Sequence, residues 1–273
     1  MLKTKHSSTR SRSHYKSIFF TIAASTLLGT LIDMGLLSSK IRASEEPLRI
    51  AVASNFLNTA TRVANQYEKN HSGSVELISG STGKLYAQIL NGAPYDIFLA
   101  ADSVRPKLLA ESDKGFSNTA HVYAKGRLAL WAPKMNKDIK TCNASLLAIP
   151  ASKIGLANPR TAPYGNAGMQ TLDKLEYLSK IRNKLVFGEN VGQVLSYLVT
   201  GSVDIGFISL SQVLNQDPDG RTCVWKVPNL YHSELTQSAI VLTSEKASSL
   251  GFMEYLLSDS AAKIIRSSGY LVP

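Results

Sequence analysis

The sequence predicts an α/β protein made of two lobes that face one another across a cleft. Short apolar runs typical of buried strands alternate with amphipathic helical patterns from residue 48 onward. This β–α–β order favours parallel sheets whose strands are joined by right-handed crossovers. The alternation starts again near residue 128, which indicates a second unit of the same kind.

The first unit opens with three predicted strands separated by two helices. After the first strand, one helix face is predicted from the spacing of Leu57, Ala60, Thr61, Ala64 and Tyr67. An Asn-Gly-Ala-Pro segment then ends the second helix. The predicted strands cover residues 48–53, 75–78 and 95–100, and the second helix covers residues 85–90.

The second unit repeats this pattern and then returns the chain to the first. One face of a predicted helix consists of Val191, Val194, Leu195, Leu198 and Val199. The pattern after residue 252 is typical of one or two closing helices. The predicted strands cover residues 128–133, 154–157, 185–187, 204–209 and 224–227, and the returning strand covers residues 238–242.

The segment 79–85, Ser-Gly-Ser-Thr-Gly-Lys-Leu, is the strongest single indication of a binding site. The first N–H groups of a helix lack partners within it, and that end carries a partial positive charge that favours anions. Ser81 or Thr82 can cap the helix or donate to a ligand. Like Ser54 and Asn55, they follow a strand, where open parallel sheets bind ligands. A plain N-cap is the alternative, and recurrence of the pattern favours the anion site.

The net charge of +10 on 273 residues does not indicate nucleic-acid binding once it is divided along the chain. Residues 1–44 hold seven basic residues and one acidic residue, so about +4 remains for the body. The body has no basic run with interleaved aromatic residues, which makes a nucleic-acid interface a weak hypothesis.

The first 44 residues are typical of an export signal. A basic, serine-rich leader precedes an apolar run over residues 17–32, which is shorter than the ~20 residues that a spanning helix needs. We therefore predict a periplasmic or extracytoplasmic protein. An uncleaved N-terminal anchor is the alternative.

The two cysteines, Cys142 and Cys223, fit an exported chain, in which an even number permits one disulfide. Two buried free thiols are the alternative that the sequence leaves open. The five histidines are scattered and have no metal-ligand spacing.

Five motifs occur in order along the predicted body, at residues 51–56, 79–89, 92–98, 157–165 and 189–192. Together they resemble the periplasmic molybdate-binding proteins of ABC uptake systems, over residues 48–273. The resemblance implies the two-lobed periplasmic-binding-protein fold of type II, in which each lobe is a mixed, mainly parallel sheet flanked by helices. It implies that residues 45–127 plus 237–273 form lobe 1, and residues 128–236 form lobe 2.

The resemblance also implies a tetrahedral oxyanion, molybdate or tungstate, bound through its oxygens without counter-cations, metal-ligating side chains or a cofactor. Carried over position by position, the predicted ligand-binding residues are Ser54, Asn55, Thr82, Tyr164 and Val191. Each of them taken alone could instead be a helix cap or a packing residue.

The five predicted ligand-binding residues are expected to donate through different groups. Ser54 matches a hydroxyl and main-chain amide donor, and Asn55 an additional amide donor. Thr82 replaces the usual serine and keeps the hydroxyl, whereas Tyr164 and Val191 match main-chain donors.

One departure from the family pattern is Ser209, where some members place a tyrosine whose phenol donates to the ligand. That donor is missing or replaced in this chain.

The predicted function is capture of molybdate or tungstate and delivery to a membrane ABC permease with its cytoplasmic ATPase, by a monomer that is not an enzyme. A pocket lined only by hydrogen-bond donors suits a fully deprotonated dianion. Phosphate keeps a proton near neutral pH and needs an acceptor for it, and Glu189 is the nearby carboxylate that could be one. Three alternatives stay open: a receptor for sulfate, phosphate or another oxyanion, an enzyme on the same fold, and a sensory or adhesion-related binding module.

Overall fold

The computed structural model describes residues 46–136, 142–150, 152–242 and 247–273. The predicted leader at residues 1–44 lies outside these residues. The strands are β1 Leu48–Ala53, β2 Val75–Gly80, β3 Ile97–Ala100, β4 His121–Gly126, β5 Leu128–Asn136, β6 Ile154–Ala157, β7 Leu185–Gly188, β8 Ile205–Ser209, β9 Thr222–Lys226 and β10 Leu235–Val241. The α-helices are α1 Leu57–Glu68, α2 Thr82–Leu90, α3 Val104–Ala110, α4 Pro163–Lys174, α5 Leu178–Ile181, α6 Val191–Thr200, α7 Leu210–Gln216, α8 Ala247–Leu256 and α9 Asp259–Ser267.

These strands form two five-stranded sheets. In sheet 1 the order is β2-β1-β3-β10-β4; β1 pairs in parallel with β2 and β3, and β10 pairs antiparallel with β3 and β4. In sheet 2 the order is β7-β6-β8-β5-β9, with β6 parallel to β7 and β8, and β5 antiparallel to β8 and β9. Each sheet thus has a single reversed strand, so the prediction of two mixed, mainly parallel sheets is confirmed.

The chain passes between the sheets twice, from β4 to β5 and from β9 to β10. The predicted lobe boundary after residue 127 falls in the first connection, and the boundary after residue 236 falls inside β10. The limits of the two lobes stay a prediction.

Both faces of sheet 1 are covered, because strand side chains alternate between faces. Ile50 and Val52 of β1 pack in a cluster with Phe56 and Phe252, on the side of α1, α8 and α9. Ala51 packs on the opposite side with residues of α2 and α3. The apolar runs that predicted buried strands are therefore apolar because neither face meets water.

Sheet 2 has its own apolar cluster, in which β6 and β8 pack against α4 and α6. Of the predicted inner face of α6, Val194 and Leu198 are buried there. Val199 was wrongly placed on that face, since it is 58% exposed near the end of the helix. Cys142 and Cys223 of β9 form a disulfide at the side of this sheet, across 81 residues of sequence. Helices start at the carboxyl ends of strands in both sheets, and these starts position the site.

Candidate anion-binding site

Four helix starts surround one small cavity between the two sheets. The cavity volume is about 10 Å³. All five predicted site residues are brought together in its lining, which consists of Ala53, Ser54, Asn55, Gly80, Ser81, Thr82, Ala101, Ala162, Pro163, Tyr164 and Val191. No member of this lining carries a charged side chain. The cavity therefore offers hydroxyl groups and main-chain N–H groups to a small guest.

Ser54 contributes its hydroxyl rather than its main-chain amide. The Ser54 N–H donates to the carbonyl of Gly80, 3.0 Å away, and so extends the pairing of β1 with β2. The Ser54 hydroxyl oxygen accepts from the N–H of Gly192 at 3.4 Å, at the start of α6. Of the two donors predicted for Ser54, the hydroxyl is the one that remains available.

Asn55 contributes its main-chain N–H, because its side chain turns away from the cavity. The side-chain nitrogen donates to Gln237 at 2.7 Å and to the Tyr270 hydroxyl at 3.1 Å. The Asn55 carbonyl accepts from the Tyr270 hydroxyl at 2.7 Å. The Asn55 N–H forms no hydrogen bond within the described residues. The amide of Asn55 that is available to a ligand is therefore its main-chain N–H.

The start of α2 places two neighbouring hydroxyls beside the cavity. The Thr82 oxygen accepts from the N–H of Ala101 at 3.1 Å, which leaves its own proton free to be donated elsewhere. The Gly83 N–H donates at 2.8 Å to the carbonyl of Thr161, in the loop that precedes α4. This bond joins the sheet 1 side to the sheet 2 side. It requires a close approach, since a Cβ at Gly83 would meet the Thr161 backbone at 3.0 Å.

The starts of α4 and α6 contribute main-chain donors. Pro163 occupies the first position of α4, where its lack of an N–H costs nothing and leaves Tyr164 as the first donor. The Asn190 side chain caps α6 by accepting from the Gln193 N–H at 3.1 Å. In the described part of the chain, the N–H groups of Tyr164 and Val191 form no hydrogen bonds. They fit the role of ligand donors predicted for them.

Ser209 does not line the cavity, and its role is to cap α7. Its hydroxyl accepts from the Gln212 N–H at 3.3 Å while its own N–H donates to the Gln212 side chain at 3.1 Å. The Gln212 side-chain nitrogen then donates to the carbonyl of Val191 at 3.2 Å. In place of a ligand-binding tyrosine, this position has a serine that caps α7 and bonds to Gln212, which in turn holds the carbonyl of Val191.

A cluster of four buried polar residues behind the cavity was not predicted from the sequence. It consists of Gln237, Tyr270, Ser211 and Gln212, which hold Asn55 and Val191. The Ser-x-x-Gln spacing of residues 209–212 is a capping-box signature and could have identified one of them. The contacts of Asn55 with Gln237 and Tyr270 span 182 and 215 residues, so no local pattern indicates them.

Glu189, the carboxylate that could have accepted from a protonated anion, pairs with Lys84 and does not line the cavity. The two side chains are about half exposed, at 55% for Lys84 and 49% for Glu189. The pair joins the starts of α2 and α6 across the gap between the sheets. Such an exposed pair adds little to stability.

A wider groove adjoins the cavity. Its volume is about 690 Å³, and it shares Ala101, Ala162 and Pro163 with the cavity lining.

Three buried tyrosines lie behind the site. Burial is the main cause that raises the pKa of Tyr270 to about 12, although bonds from Ser211 and Asn55 act in the opposite direction. Burial also raises the pKa of Tyr123 and of Tyr164 well above their ordinary value, and the proximity of Tyr270 adds to both shifts. These phenols stay protonated when the protein is folded at neutral pH.

Raising the pH above about 10 should lower the free energy of unfolding. Unfolded tyrosines release their protons near that pH, whereas the buried ones keep theirs, so the folded state binds more protons and loses stability as the pH rises. Urea unfolding at about pH 9 and about pH 11 measures the difference. The Tyr270→Phe variant should show a shallower decline over the same interval, and an equal decline in both proteins would contradict the assignment.

Neither a metal site nor a membrane-spanning helix is found among the described residues. No group of three or more His, Cys, Asp or Glu side chains could hold a metal ion there. Within the same residues, no helix combines the length and the apolar character needed to cross a bilayer.

Comparison with known proteins places this architecture in a family. The family described as bacterial extracellular solute-binding protein matches residues 48–271. The molybdate-binding protein ModA of Azotobacter vinelandii is 34% identical over 241 residues, which is 88% of this chain and 94% of that protein. ModA of Rhodobacter capsulatus is 31% identical over 224 residues, covering 81% of this chain and 86% of that protein.

A solved structure agrees with the sequence matches. The periplasmic molybdate-binding protein of Azotobacter vinelandii superimposes with a TM-score of 0.77 at 34% identity, covering 83% of this chain and 99% of that one. The resemblance seen in the five sequence motifs and the predicted fold class are both confirmed. The chain belongs to the bacterial extracellular solute-binding protein family.

Proposed function

We propose that this chain captures molybdate or tungstate outside the cytoplasm and delivers it to a membrane ABC permease driven by a cytoplasmic ATPase. The observation that carries the proposal is the cavity itself, an uncharged lining of hydroxyls and unpaired main-chain N–H groups at four helix starts. The chain acts as a carrier rather than an enzyme and works as a monomer.

The donor set is matched to a small dianion. The hydroxyls of Ser54 and Thr82 and the N–H groups of Asn55, Tyr164 and Val191 supply hydrogen bonds to charged oxygens, each contributing roughly 1.5–3 kcal/mol. Burying an ion costs several kcal/mol, so several such bonds are needed for binding. The helix starts add partial positive charge without a counter-ion.

Size and charge separate the candidate ligands. The cavity volume is about 10 Å³, far below the ~300–1000 Å³ typical of organic ligand sites. The site therefore suits at most a small inorganic ion. The lining has no carboxylate to accept from a protonated phosphate, and Glu189 is paired with Lys84 outside it. Sulfate has the same charge and shape as molybdate and differs in size. Its shorter bonds would leave some of the donors beyond hydrogen-bond distance.

Binding favours a closed arrangement of the two sheets. Donors come from the sheet 1 side at Ser54, Asn55 and Thr82, and from the sheet 2 side at Tyr164 and Val191. An anion that bridges both sides stabilises the closed state in proportion to its preference for that state. The closed state is also stabilised by two contacts between the sheet 1 side and the sheet 2 side, the Gly83–Thr161 hydrogen bond and the Lys84–Glu189 ion pair.

Export and delivery follow from the leader and the relatives. Residues 1–44 provide the basic and apolar pattern of an export signal. Relatives of similar length are named as molybdate-binding proteins. The permease is therefore the partner that this proposal requires.

A thermal-shift panel of molybdate, tungstate, sulfate and phosphate tests the proposal on the purified protein. A ligand at a thousandfold excess over its dissociation constant stabilises the folded state by about 4 kcal/mol, which is readily measured. Molybdate and tungstate should raise the melting temperature, whereas sulfate and phosphate should not. Stabilisation by sulfate alone would assign the site to another oxyanion, and no stabilisation by any of the four would refute it.

Ser54→Ala and Thr82→Ala should each weaken molybdate binding by about 1–3 kcal/mol, because each removes a hydroxyl that donates to a charged oxygen. Isothermal titration calorimetry measures the change. Thr61→Ala is the matched control. The sequence placed Thr61 on the inner face of α1, but the structure shows it exposed, with its hydroxyl bonded to Leu57 of the same helix. Unchanged affinity in both cavity variants would count against the site.

A further inference from the structure

We propose that the hydroxyl of Ser81 is a further donor to the bound oxyanion, next to the Thr82 hydroxyl. This inference rests on the proposed function and adds a residue that neither the family resemblance nor the predicted ligand set assigns. It is carried by three observations: the burial of Ser81, the absence of a partner for its oxygen, and its place in the cavity lining.

Ser81 is buried, with 2% of its surface exposed. Its hydroxyl oxygen has no hydrogen-bond partner within the described residues. Buried hydroxyls in folded proteins are nearly always paired, and an unpaired one loses its hydration without compensation. A partner at this position is therefore expected, and Ser81 lines the cavity in which the anion would lie.

Capping of α2 does not account for the hydroxyl. Ser81 stands at the N-cap position, yet its side chain makes no capping bond. One of the N–H groups that it could have capped, that of Gly83, donates instead to the Thr161 carbonyl at 2.8 Å. The side chains of Ser209 and Ser258 do cap their helices, α7 and α9. Ser81 differs from them in that its helix start faces the cavity.

Other unpaired hydroxyls in the described residues do not compete for this role. Ser238 and Ser249 are unpaired and buried but lie outside the cavity lining. Tyr164 belongs to the lining, but its phenol lies beside Gly126 and Gln237, behind the site. Ser81 is the side-chain hydroxyl that combines lack of a partner with a position beside the helix starts.

The consequence is an anion site with two adjacent hydroxyls at one helix start. A hydroxyl proton rotates to follow an acceptor, so Ser81 can satisfy an oxygen that fixed N–H groups do not reach. Its contribution should resemble that of other hydrogen bonds to charged groups, a factor of about 10 to 150 in affinity.

The test compares Ser81→Ala with Ser249→Ala by calorimetry with molybdate and by thermal unfolding without ligand. Ser249 is the matched control, because it is also a fully buried, unpaired serine hydroxyl and lies in α8 away from the cavity. We expect Ser81→Ala to weaken binding by at least about tenfold and Ser249→Ala to leave it unchanged. Neither variant should lower the melting temperature of the unliganded protein, since neither loses a hydrogen bond.

The outcomes are distinguishable from failure of the proposed function. If the wild-type protein binds no oxyanion, the proposed function fails and this inference fails with it. If the wild type binds molybdate and Ser81→Ala binds it equally well, only the role of Ser81 is overturned. A fall in the unliganded melting temperature of Ser81→Ala alone would assign the hydroxyl to the fold and also overturn the inference.

Discussion

Replacing Val191 by proline should weaken molybdate binding by about 10- to 150-fold while α6 stays folded. Val191 is the first residue of α6, and its N–H lines the cavity without a hydrogen bond in the described structure. Proline lacks that N–H and is well tolerated at the first position of a helix. Asn190, which precedes it, already has the extended backbone that a following proline requires, with φ −149° and ψ 173°. The substitution removes one proposed ligand donor, and it also replaces a side chain that is 3% exposed in the apolar cluster of sheet 2. Val191→Ala shortens the same side chain and keeps the N–H, so it controls for the change in packing.

Asp259→Pro is the matched control for this experiment. Asp259 is also the first residue of its helix, α9, and follows a side-chain cap at Ser258, but it lies away from the cavity. Calorimetry should show near-wild-type affinity for Asp259→Pro and a large loss for Val191→Pro, with similar helical circular dichroism in both. Equal affinity in the two variants would show that the Val191 N–H does not contact the anion.

Proline substitution is informative because alanine substitution cannot detect main-chain donors. Val191→Ala would leave the N–H in place, as would any ordinary change at Tyr164. The Tyr164 side chain is buried, with 1% exposed, and its phenol lies behind the site. Changes there would therefore report packing rather than ligand binding.

Some of the predicted site residues follow from local rules of sequence. Ser54 and Thr82 come directly after β1 and at the start of α2, where the carboxyl ends of parallel strands meet. Strand and helix periodicity located those ends within a few residues. Tyr164 and Val191 needed the family resemblance, since the side chain of a main-chain donor carries no indication of its role.

The sequence did not predict how Asn55 is used. The prediction was an amide donor and did not distinguish the side chain from the backbone; Gln237 and Tyr270 take the protons of the side-chain amide. Those partners come from β10 and the C-terminal segment, which only the folded topology brings to β1. Contacts of this kind depend on the order of strands within a sheet, for which hydrophobic periodicity contains no information.

Removing the disulfide should lower the free energy of unfolding by about 4 kcal/mol, a large part of the ~5–15 kcal/mol typical of a native protein. Cys142 and Cys223 are separated by 81 residues, and the bond limits the conformations of that long loop in the unfolded chain. In a protein of this size the melting temperature should fall by roughly 8–16 °C. Thermal unfolding of the Cys142→Ala, Cys223→Ala double variant measures the loss.

The same bond should have little influence on affinity. The closed loop contains Tyr164 and Val191, but neither cysteine lines the cavity, and the site is held by hydrogen bonds in the folded state. Calorimetry well below the melting temperature should therefore give the double variant the affinity of the wild type. Wild-type protein treated with a reductant is the matched control, and its melting temperature should equal that of the double variant. If reduction leaves the melting temperature within a few degrees of the oxidised protein, the chain between the cysteines is constrained by its packing, and the loop-entropy argument does not apply.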